Sequence, residues 1–345
     1  MKQMKRVLAL VLSAMLCMML LAGCATDTTP SNDNGTTSTT AKEKGIDIRM
    51  AVLKGPTGVG AVNLWNKQDA GKTTNNYTFE LATEPQAIIN KFANNQIDIA
   101  AMPTNAAAAL YAKTNGNIQV LAVNTLGVLY MMENGNTIES VADLKGKTIY
   151  STGQGANPEY VLKYILEKNG LNPDEDVTIK FVAENQELST LIMKGEATIA
   201  MVPEPLHTTL KTKNQKLRTA LDMTAEWEAV SGDDSALMMG CVVAKKDFVK
   251  NNPDGIRTFL QEYESSIASG DALREETGKL CAKYGIIDDA NIAANAIVGC
   301  NMTFVQSDRM KEQLSGYLEV LFNANSKSVG GKLPDDAFYY LGENR

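Results

Sequence analysis

The chain has 345 residues, 44% of them hydrophobic, a formal charge of −7 and a single histidine. That length holds about two domains with full cores. An acidic chain without a dense Lys/Arg run lacks the electrostatic footprint of a nucleic-acid binder, so nucleic acid is excluded as a partner. One histidine, His207, and the wide spacing of Cys241, Cys281 and Cys300 match no zinc motif, so neither a metal site nor a cofactor is expected.

Lys2, Lys5 and Arg6 precede the apolar run Val7–Leu20, which is short for a membrane span. Leu21-Ala22-Gly23-Cys24 follows and matches the lipobox of bacterial lipoproteins. The pattern predicts a signal peptide over 1–23, cleavage before Cys24, and a diacylglyceryl group on its sulfur. Residues 24–45 are rich in Thr, Ser, Asn and Asp, a flexible tether from the lipid to a globule that starts near Ile46. With no polybasic patch, the lipid alone holds the protein at the outer face of the cytoplasmic membrane.

From Ile46 strand and helix signals alternate. Ile48–Leu53 reads as a strand ending in Gly55-Pro56-Thr57-Gly58, with helical spacing following through Val62 and Trp65. Tyr77–Ala82 is a strand, Pro85–Ala93 a helix, and Ile97–Met102 a strand stopped by Pro103. Lys147–Tyr150 leads into Ser151-Thr152-Gly153-Gln154-Gly155, after which Asn157 and Pro158 supply an N-cap and first helical position, with Gly170 as the stop. Val177–Val182, Gln186–Lys194 and Ala197–Val202 repeat strand, helix and strand, stopped by Pro203. After Asp247 the pattern is helical to about Ala324. This order predicts an α/β protein with mainly parallel sheets.

The two passages keep step. Gly55 and Gly155, Thr78 and Thr178, Glu84 and Glu184, and Pro103 and Pro203 stand 100 residues apart. Two similarly built α/β lobes with a cleft between them follow. The first lobe is expected over 46–126 and 236–345, the second over 127–235. The chain crosses near Asn124–Tyr130 and Ser235–Val243, and two crossings give a hinge of restricted motion.

Loops from strand to helix offer backbone N–H groups and a helix dipole to anions. Gly55, Pro56, Thr57 and Gly58 form one such loop, and Ser151, Thr152, Gly153 and Gln154 the other, with Asn157 opening the helix beyond. Neither carries the Gly-Lys-Ser/Thr of a Walker loop. Thr104 and Asn105 either meet a ligand or cap the helix Ala106–Tyr111. Glu204 either pairs with a cationic group or is a solvated loop acid, and His207 reads as a surface or packing residue. Trp65, Tyr111, Tyr130 and Tyr150 lie near the predicted rim, where a ring-bearing ligand would need stacking partners and core packing serves equally well. Cys241, Cys281 and Cys300 read as buried, unpaired thiols, and the methionine pairs at 131–132 and 238–239 as core filler near the hinge. Neither a Gly-x-Ser-x-Gly elbow nor a His-Glu-x-x-His pair is present.

The lipobox, the polar tether and the two lobes resemble a substrate-binding lipoprotein of an ABC importer. Gly195-Glu196-Ala197-Thr198-Ile199-Ala200-Met201-Val202-Pro203-Glu204-Pro205-Leu206 is similar to the second-lobe signature of the nitrate/sulfonate/taurine and thiamine-pyrimidine binding group. So is the stretch from Val242-Val243-Ala244 to Asn252-Pro253-Asp254, although Thr198 replaces the aspartate found in many relatives. The resemblance implies a type II periplasmic-binding-protein fold, a monomer that closes on a small-molecule solute and docks on an ABC permease with its ATPase subunit. It implies no bond chemistry, and the paired loops as donors point to a small anionic or zwitterionic organic solute, sulfonate-like. The alternatives are a binder of an aromatic or pyrimidine vitamin precursor, or an enzyme on the same fold using Cys241 or Glu204.

Overall fold

The computed structural model describes residues 45–342. The signal peptide, the lipidation site Cys24 and all but the last residue of the tether lie outside the described residues. In chain order the elements are β1 (Asp47–Leu53), α1 (Pro56–Val59), α2 (Val62–Asp69), β2 (Asn76–Ala82), α3 (Pro85–Ala93), β3 (Ile99–Pro103), α4 (Thr104–Lys113) and β4 (Ile118–Thr125). There follow β5 (Leu129–Glu133), β6 (Thr148–Ser151), α5 (Asn157–Lys168), β7 (Thr178–Phe181), α6 (Asn185–Lys194), β8 (Ile199–Pro203), α7 (Leu206–Lys213), β9 (Arg218–Asp222) and α8 (Met223–Ser231). The chain then adds β10 (Gly240–Lys245), α9 (Lys246–Asn251), α10 (Pro253–Ala272), α11 (Arg274–Lys283), α12 (Ala290–Ala296), β11 (Met302–Val305) and α13 (Ser307–Ala324).

The strands form a six-stranded sheet in the order β11-β4-β10-β3-β1-β2 and a five-stranded sheet in the order β7-β6-β8-β5-β9. In the first, β1 pairs in parallel with β2 and β3; in the second, β6 does so with β7 and β8. Next to β3 lies β10 and next to β8 lies β5, both antiparallel. The sheets are therefore mixed rather than mainly parallel. The cause is the crossing: β5 arrives from the first sheet and β10 from the second, and each inserts against the local strand direction.

Strand register corrects the spacing read from identities. Ala51 stands opposite Ala100 and Arg49 opposite Thr78, whereas Tyr150 stands opposite Ala200 and Thr148 opposite Thr178. The leading strands of the two lobes are thus offset by one residue less than their partners, so Gly55 corresponds to Gln154 rather than Gly155. The helix starts move as well. Ala156 is the N-cap of α5, with Asn157 and Pro158 inside the first turn, and α4 begins at Thr104 with Pro103 before it.

Alternation along β1 divides the first core. Ile48, Met50 and Val52 pack on Val62 and Leu64 of α2, Phe259 and Tyr263 of α10 and Cys281 of α11. Ala51 and Leu53 face the other way, toward Ile88 and Phe92 of α3 and Leu110 of α4. That second cluster does not stop at the sheet edge. It runs through Met310, Leu314 and Tyr317 of α13 into Ile165 of α5 and Trp227 of α8. Trp227 is fully buried, with Tyr164 at 4.4 Å and Tyr317 at 5.5 Å between ring centroids. The far face of the second sheet is covered by Leu188 and Ile192 of α6 and Leu210 of α7. Among the described residues no helix is long and apolar enough to cross a membrane.

Stability measurements can probe two of these contacts. The Tyr317 hydroxyl is buried and lacks a hydrogen-bond partner, a cost that Tyr317→Phe removes while keeping the ring. Its Tm should rise by about 2 °C or more, for about 1 kcal/mol regained, and a fall in a calorimetric melt would contradict this. At Asp98, burial pushes the carboxyl up, but hydrogen bonds from the Arg49 side chain and backbone and the Arg49 charge outweigh it and hold it below the usual range. Asp98→Asn should cost about 1 kcal/mol at neutral pH. The folded carboxyl titrates below its unfolded value of about 3.9, so in pH-dependent denaturation the difference from wild type should fade as pH falls through the folded value.

Candidate functional site

In open α/β sheets ligands gather beyond the carboxyl ends of parallel strands. In this chain β3 and β8 end beside the two crossings. Thr104, at the end of β3, is fully buried. Its N–H donates to Met239 O at 3.1 Å and its hydroxyl to Met238 O at 2.7 Å. The hydroxyl proton expected for a ligand or a helix cap is thus given to the returning crossing. Asn105 follows and is half-buried; its Nδ2 reaches Ser328 O at 3.5 Å and its Oδ1 accepts from Asn157 Nδ2 at 3.2 Å. Asn157 opens α5, so this bond joins the N-termini of α4 and α5 across the two lobes. Neither helix has a side-chain cap, and α4 has no acid in its first turn. Glu159 of α5 is taken up by Gly155 N–H at 2.7 Å and Lys163 at 3.0 Å. Burial pushes the Glu159 carboxyl up, and these two partners bring it below its ordinary value.

The two strand-to-helix loops behave differently. Gly55 has φ +97°, open to glycine, and its N–H donates to Ile286 O at 3.0 Å. Pro56 starts α1, Thr57 O accepts from Asn124 at 2.9 Å, and a Cβ at Gly58 would overlap Leu53 O. This loop is folded down on its own lobe. In the second loop, Ser151 is buried and its hydroxyl lies 3.1 Å from Thr152 O and 3.3 Å from Met201 O, while the Thr152 hydroxyl donates to Asn185 at 3.0 Å. Gly153 and Gly155 both take positive φ, and between them Gln154 is exposed. Gln154 and Gly155 line a groove of about 650 Å³ that Val320 and Asn325 border from the side of α13. Tyr160 donates to Gly155 O at 2.8 Å and accepts from Asn325 at 2.9 Å, which ties this loop to the turn after α13.

A second cavity, about 550 Å³, lies at the end of β8. Tyr130, Glu204, His207, Lys211 and Asp222 line it from the second lobe, Asn295 from the end of α12, and Val298, Gly299 and Asn301 from the turn between α12 and β11. Glu204 is 3% exposed; Oε1 accepts from His207 Nδ1 at 2.8 Å and from the Thr208 hydroxyl at 2.9 Å, and Oε2 from Thr208 N–H at 3.2 Å. It is a buried acceptor of three hydrogen bonds in the cavity wall rather than a solvated loop acid. His207 Nε2 lies 2.7 Å from the Thr219 hydroxyl, which also accepts from Lys211 at 3.3 Å. Nδ1 faces the Glu204 carboxylate, which only accepts, so the imidazole carries hydrogen there. The Tyr130 ring stacks on His207 at 4.4 Å and its hydroxyl donates to Gly299 O at 3.0 Å. Burial and the charges of Asp222 and Glu204 push that hydroxyl up, so it stays a donor.

Gly299, Asn301 and His207 are contributions that sequence reasoning did not assign to a site. His207 stands three residues after Glu204, a spacing that places two side chains on one helical face. Gly299 and Asn301 carry no local signal, because their turn arrives from the far end of the chain. Asn301 holds φ +43°, accepts from Leu126 N–H at 3.0 Å and donates to Gly127 O at 2.6 Å, clamping the outgoing crossing. The rim aromatics divide. Trp65 is sandwiched between Phe79 at 4.9 Å and Tyr284 at 4.5 Å, Tyr111 bonds Asp335, and Tyr150 lies under Lys180. Tyr130 lines the cavity. Cys241, Cys281 and Cys300 are buried free thiols, and burial pushes Cys281 up to about 12.

Residues 71–288 match the family described as ABC transporter, phosphonate, periplasmic substrate-binding protein. No protein of curated function matches the chain. Among solved structures, an ABC transporter from Parabacteroides distasonis is similar at 20% identity and a TM-score of 0.72, covering 86% of this chain and 99% of that one. The periplasmic aliphatic sulphonate binding protein SsuA from Escherichia coli is similar at 15% identity and 0.67, covering 86% and 92%. A putative periplasmic sulfonate-binding protein SsuA from Methylobacillus flagellatus is similar at 17% identity and 0.62, with coverage again 86% and 92%. At such identities the likeness establishes the fold, the two-lobed periplasmic-binding-protein architecture.

The approach of Gly299 to Glu204 can be tested directly. A Cβ at Gly299 would overlap Glu204 Oε1 and lie 3.1 Å from Cγ and Cδ. Gly299→Ala should cost about 1–3 kcal/mol. Combined with Glu204→Ala, the cost in chemical denaturation should fall short of the sum by about 1 kcal/mol. Additive costs would show that the two residues do not meet.

Proposed function

Because the chain belongs to the family of phosphonate-type periplasmic substrate-binding proteins of ABC transporters, we propose that it captures a small anionic or zwitterionic organic solute, sulfonate- or phosphonate-like, between its lobes. It then delivers that solute to an ABC permease worked by an ATPase subunit. The observation that carries this reading is the meeting of two uncapped helix N-termini, α4 and α5, across the lobes at Asn105 and Asn157. Each end carries about half a positive charge from its helix dipole, and together they suit one anionic group. Asn105, Asn157 and the exposed Gln154 are the contacts favoured from the second loop and its surroundings. The loop Gly55–Gly58 and Thr104 serve by holding the first lobe and the crossing.

The lobes are taken as 46–126 with 236–345, and 127–235. Solute shifts the population toward the state in which both lobes touch it. The chain acts as a monomer held by a lipid on Cys24 at the outer face of the cytoplasmic membrane, and it makes or breaks no bond. In support, Cys241 is fully buried with its thiol pushed far up, and Glu204 already accepts three hydrogen bonds. A ring-bearing solute is the second reading. It is favoured by the Tyr130–His207 stack in the cavity wall, and Tyr130→Ala should then abolish binding.

Thermal melts of the purified protein against alkyl phosphonates, alkyl sulfonates, taurine, nitrate, thiamine pyrimidines and amino acids test the proposal. A true solute at about 1,000 times its Kd adds about 4 kcal/mol, a shift of about 8 °C or more. Shifts from anionic or zwitterionic solutes are expected. A flat response, with no co-purified molecule found by mass spectrometry after denaturing extraction, would sink the reading.

A further inference from the structure

We propose that His207 is a proton site coupled to solute capture: a proton on its imidazole draws the two lobes together, so the receptor gains affinity for an anion as pH falls. This adds a regulation to the anion-receptor reading above and rests on it. His207 is the single histidine of the chain, and histidine is the side chain whose ordinary charge change falls between about pH 5 and 8. It stands on α7 in the wall of the cavity at the end of β8, facing the turn that the first lobe contributes. Glu204 lies 2.8 Å from Nδ1, and Lys211, one turn along α7, lines the same cavity. β9 supplies Thr219, 2.7 Å from Nε2, and Asp222 at its end, while β5 supplies the Tyr130 ring stacked at 4.4 Å. Among the described residues, the first lobe lines the cavity only with uncharged groups, and the Cys300 thiol beside Gly299 is pushed up by burial and by Glu204. Two carboxylates thus face one ammonium, and the wall is left negative while the imidazole is neutral.

A proton taken from solvent goes to Nε2, since Nδ1 already carries hydrogen toward Glu204. Thr219 then turns its own hydrogen away and accepts, and its second lone pair stays with Lys211 at 3.3 Å. The charged ring and Glu204 form a buried ion pair inside the second lobe, the same whether the lobes are open or closed. What closure changes lies across the cavity. α12 lies against α7, and its end at Asn295 borders the cavity. The carbonyls of that last turn bring the negative end of a helix dipole to the imidazolium. The Tyr130 hydroxyl spans the same gap, donating to Gly299 O at 3.0 Å. A cation beside the ring loosens its hold on the proton and makes it a stronger donor. Both attractions need the first lobe close by, and an anion held between the lobes adds a third of the same sign. By linkage, the anion favours the proton on His207 as much as the proton favours the anion.

The test is isothermal calorimetry with ethanesulfonate and ethylphosphonate at about pH 5.5 and about pH 8, each in two buffers of different ionisation enthalpy. Ethanesulfonate stays ionised throughout, so a proton taken up when it binds enters the protein. Wild type should bind it about two- to tenfold more tightly at the lower pH, with net proton uptake. His207→Gln should bind it with neither effect. Ethylphosphonate changes its own charge in this range, so for it the excess of wild type over His207→Gln is the expected signal. Tyr130→Phe keeps the stacked ring but loses the bond to Gly299 O, and it should reduce the pH dependence; it carries the comparison if His207→Gln folds poorly. Ethanesulfonate affinity indifferent to pH, or a pH dependence that survives in His207→Gln, overturns the proposal and leaves the receptor reading standing. Failure of both probes to bind wild type overturns both.

Discussion

The molecule depends on one constraint, the insertion of each crossing strand into the sheet opposite its origin. β10 returns from the second lobe and lies between β3 and β4, antiparallel to both, and β5 arrives from the first lobe to lie between β8 and β9. Each lobe therefore has a strand near its centre that is covalently continuous with the other. The ends of β3 and β8 come to rest beside the crossings, since Gly240 stands opposite Pro103 and Leu129 opposite Pro203. Ligand-facing loops and hinge are thus set by one arrangement of backbone hydrogen bonds, and a change at one is felt at the other.

Two residues of the first lobe tie down both crossings. Thr104 holds the carbonyls of Met238 and Met239, and Asn301 holds Leu126 and Gly127. Both crossings are bound to the first lobe at these points. On the other side, Glu204 N–H reaches Val128 O and Trp227 Nε1 reaches Ser235. The short stretches Gly127–Val128 and Ala236–Leu237 lie between these two sets of ties. Leu237 packs so closely on Gly127 that a Cβ there would meet Leu237 Cδ2 at 2.6 Å.

Much of this was legible in the sequence, for physical reasons. Short apolar strands ended by Pro103 and Pro203, and helices opened by Pro85, Pro158 and Pro253, announce themselves through backbone chemistry that needs no partner. Other elements left no such mark. β4 is buried on both faces for most of its length, so it shows no alternation, and β11 is four residues set among helices. Identities alone hid the one-residue slip between the lobes, which only pairing across strands exposes. At the site, the two loops read alike as glycine turns, yet Gly55 spends its amide on Ile286 while Gln154 is exposed. Thr104 had the right chemistry for a ligand and gives it to a hinge carbonyl. Gly299 matters through the room it leaves for Glu204, a property written in another residue's position.

The ring of Tyr317, set edge-on to Trp227 from a helix that also packs against α4 and β4, acts on how the molecule yields to force. A hinge of two strands alone would be soft in every sense of rotation. With α13 reaching over one flank, rotation that separates that flank must part an aromatic pair, worth about 0.5–1.5 kcal/mol beyond its buried area, whereas the tie on the other flank is the polar bond from Tyr130 to Gly299 O. The stiffness is therefore lopsided. Any movement that parts Tyr317 from Trp227 thus meets a resistance that two crossing strands alone would not supply.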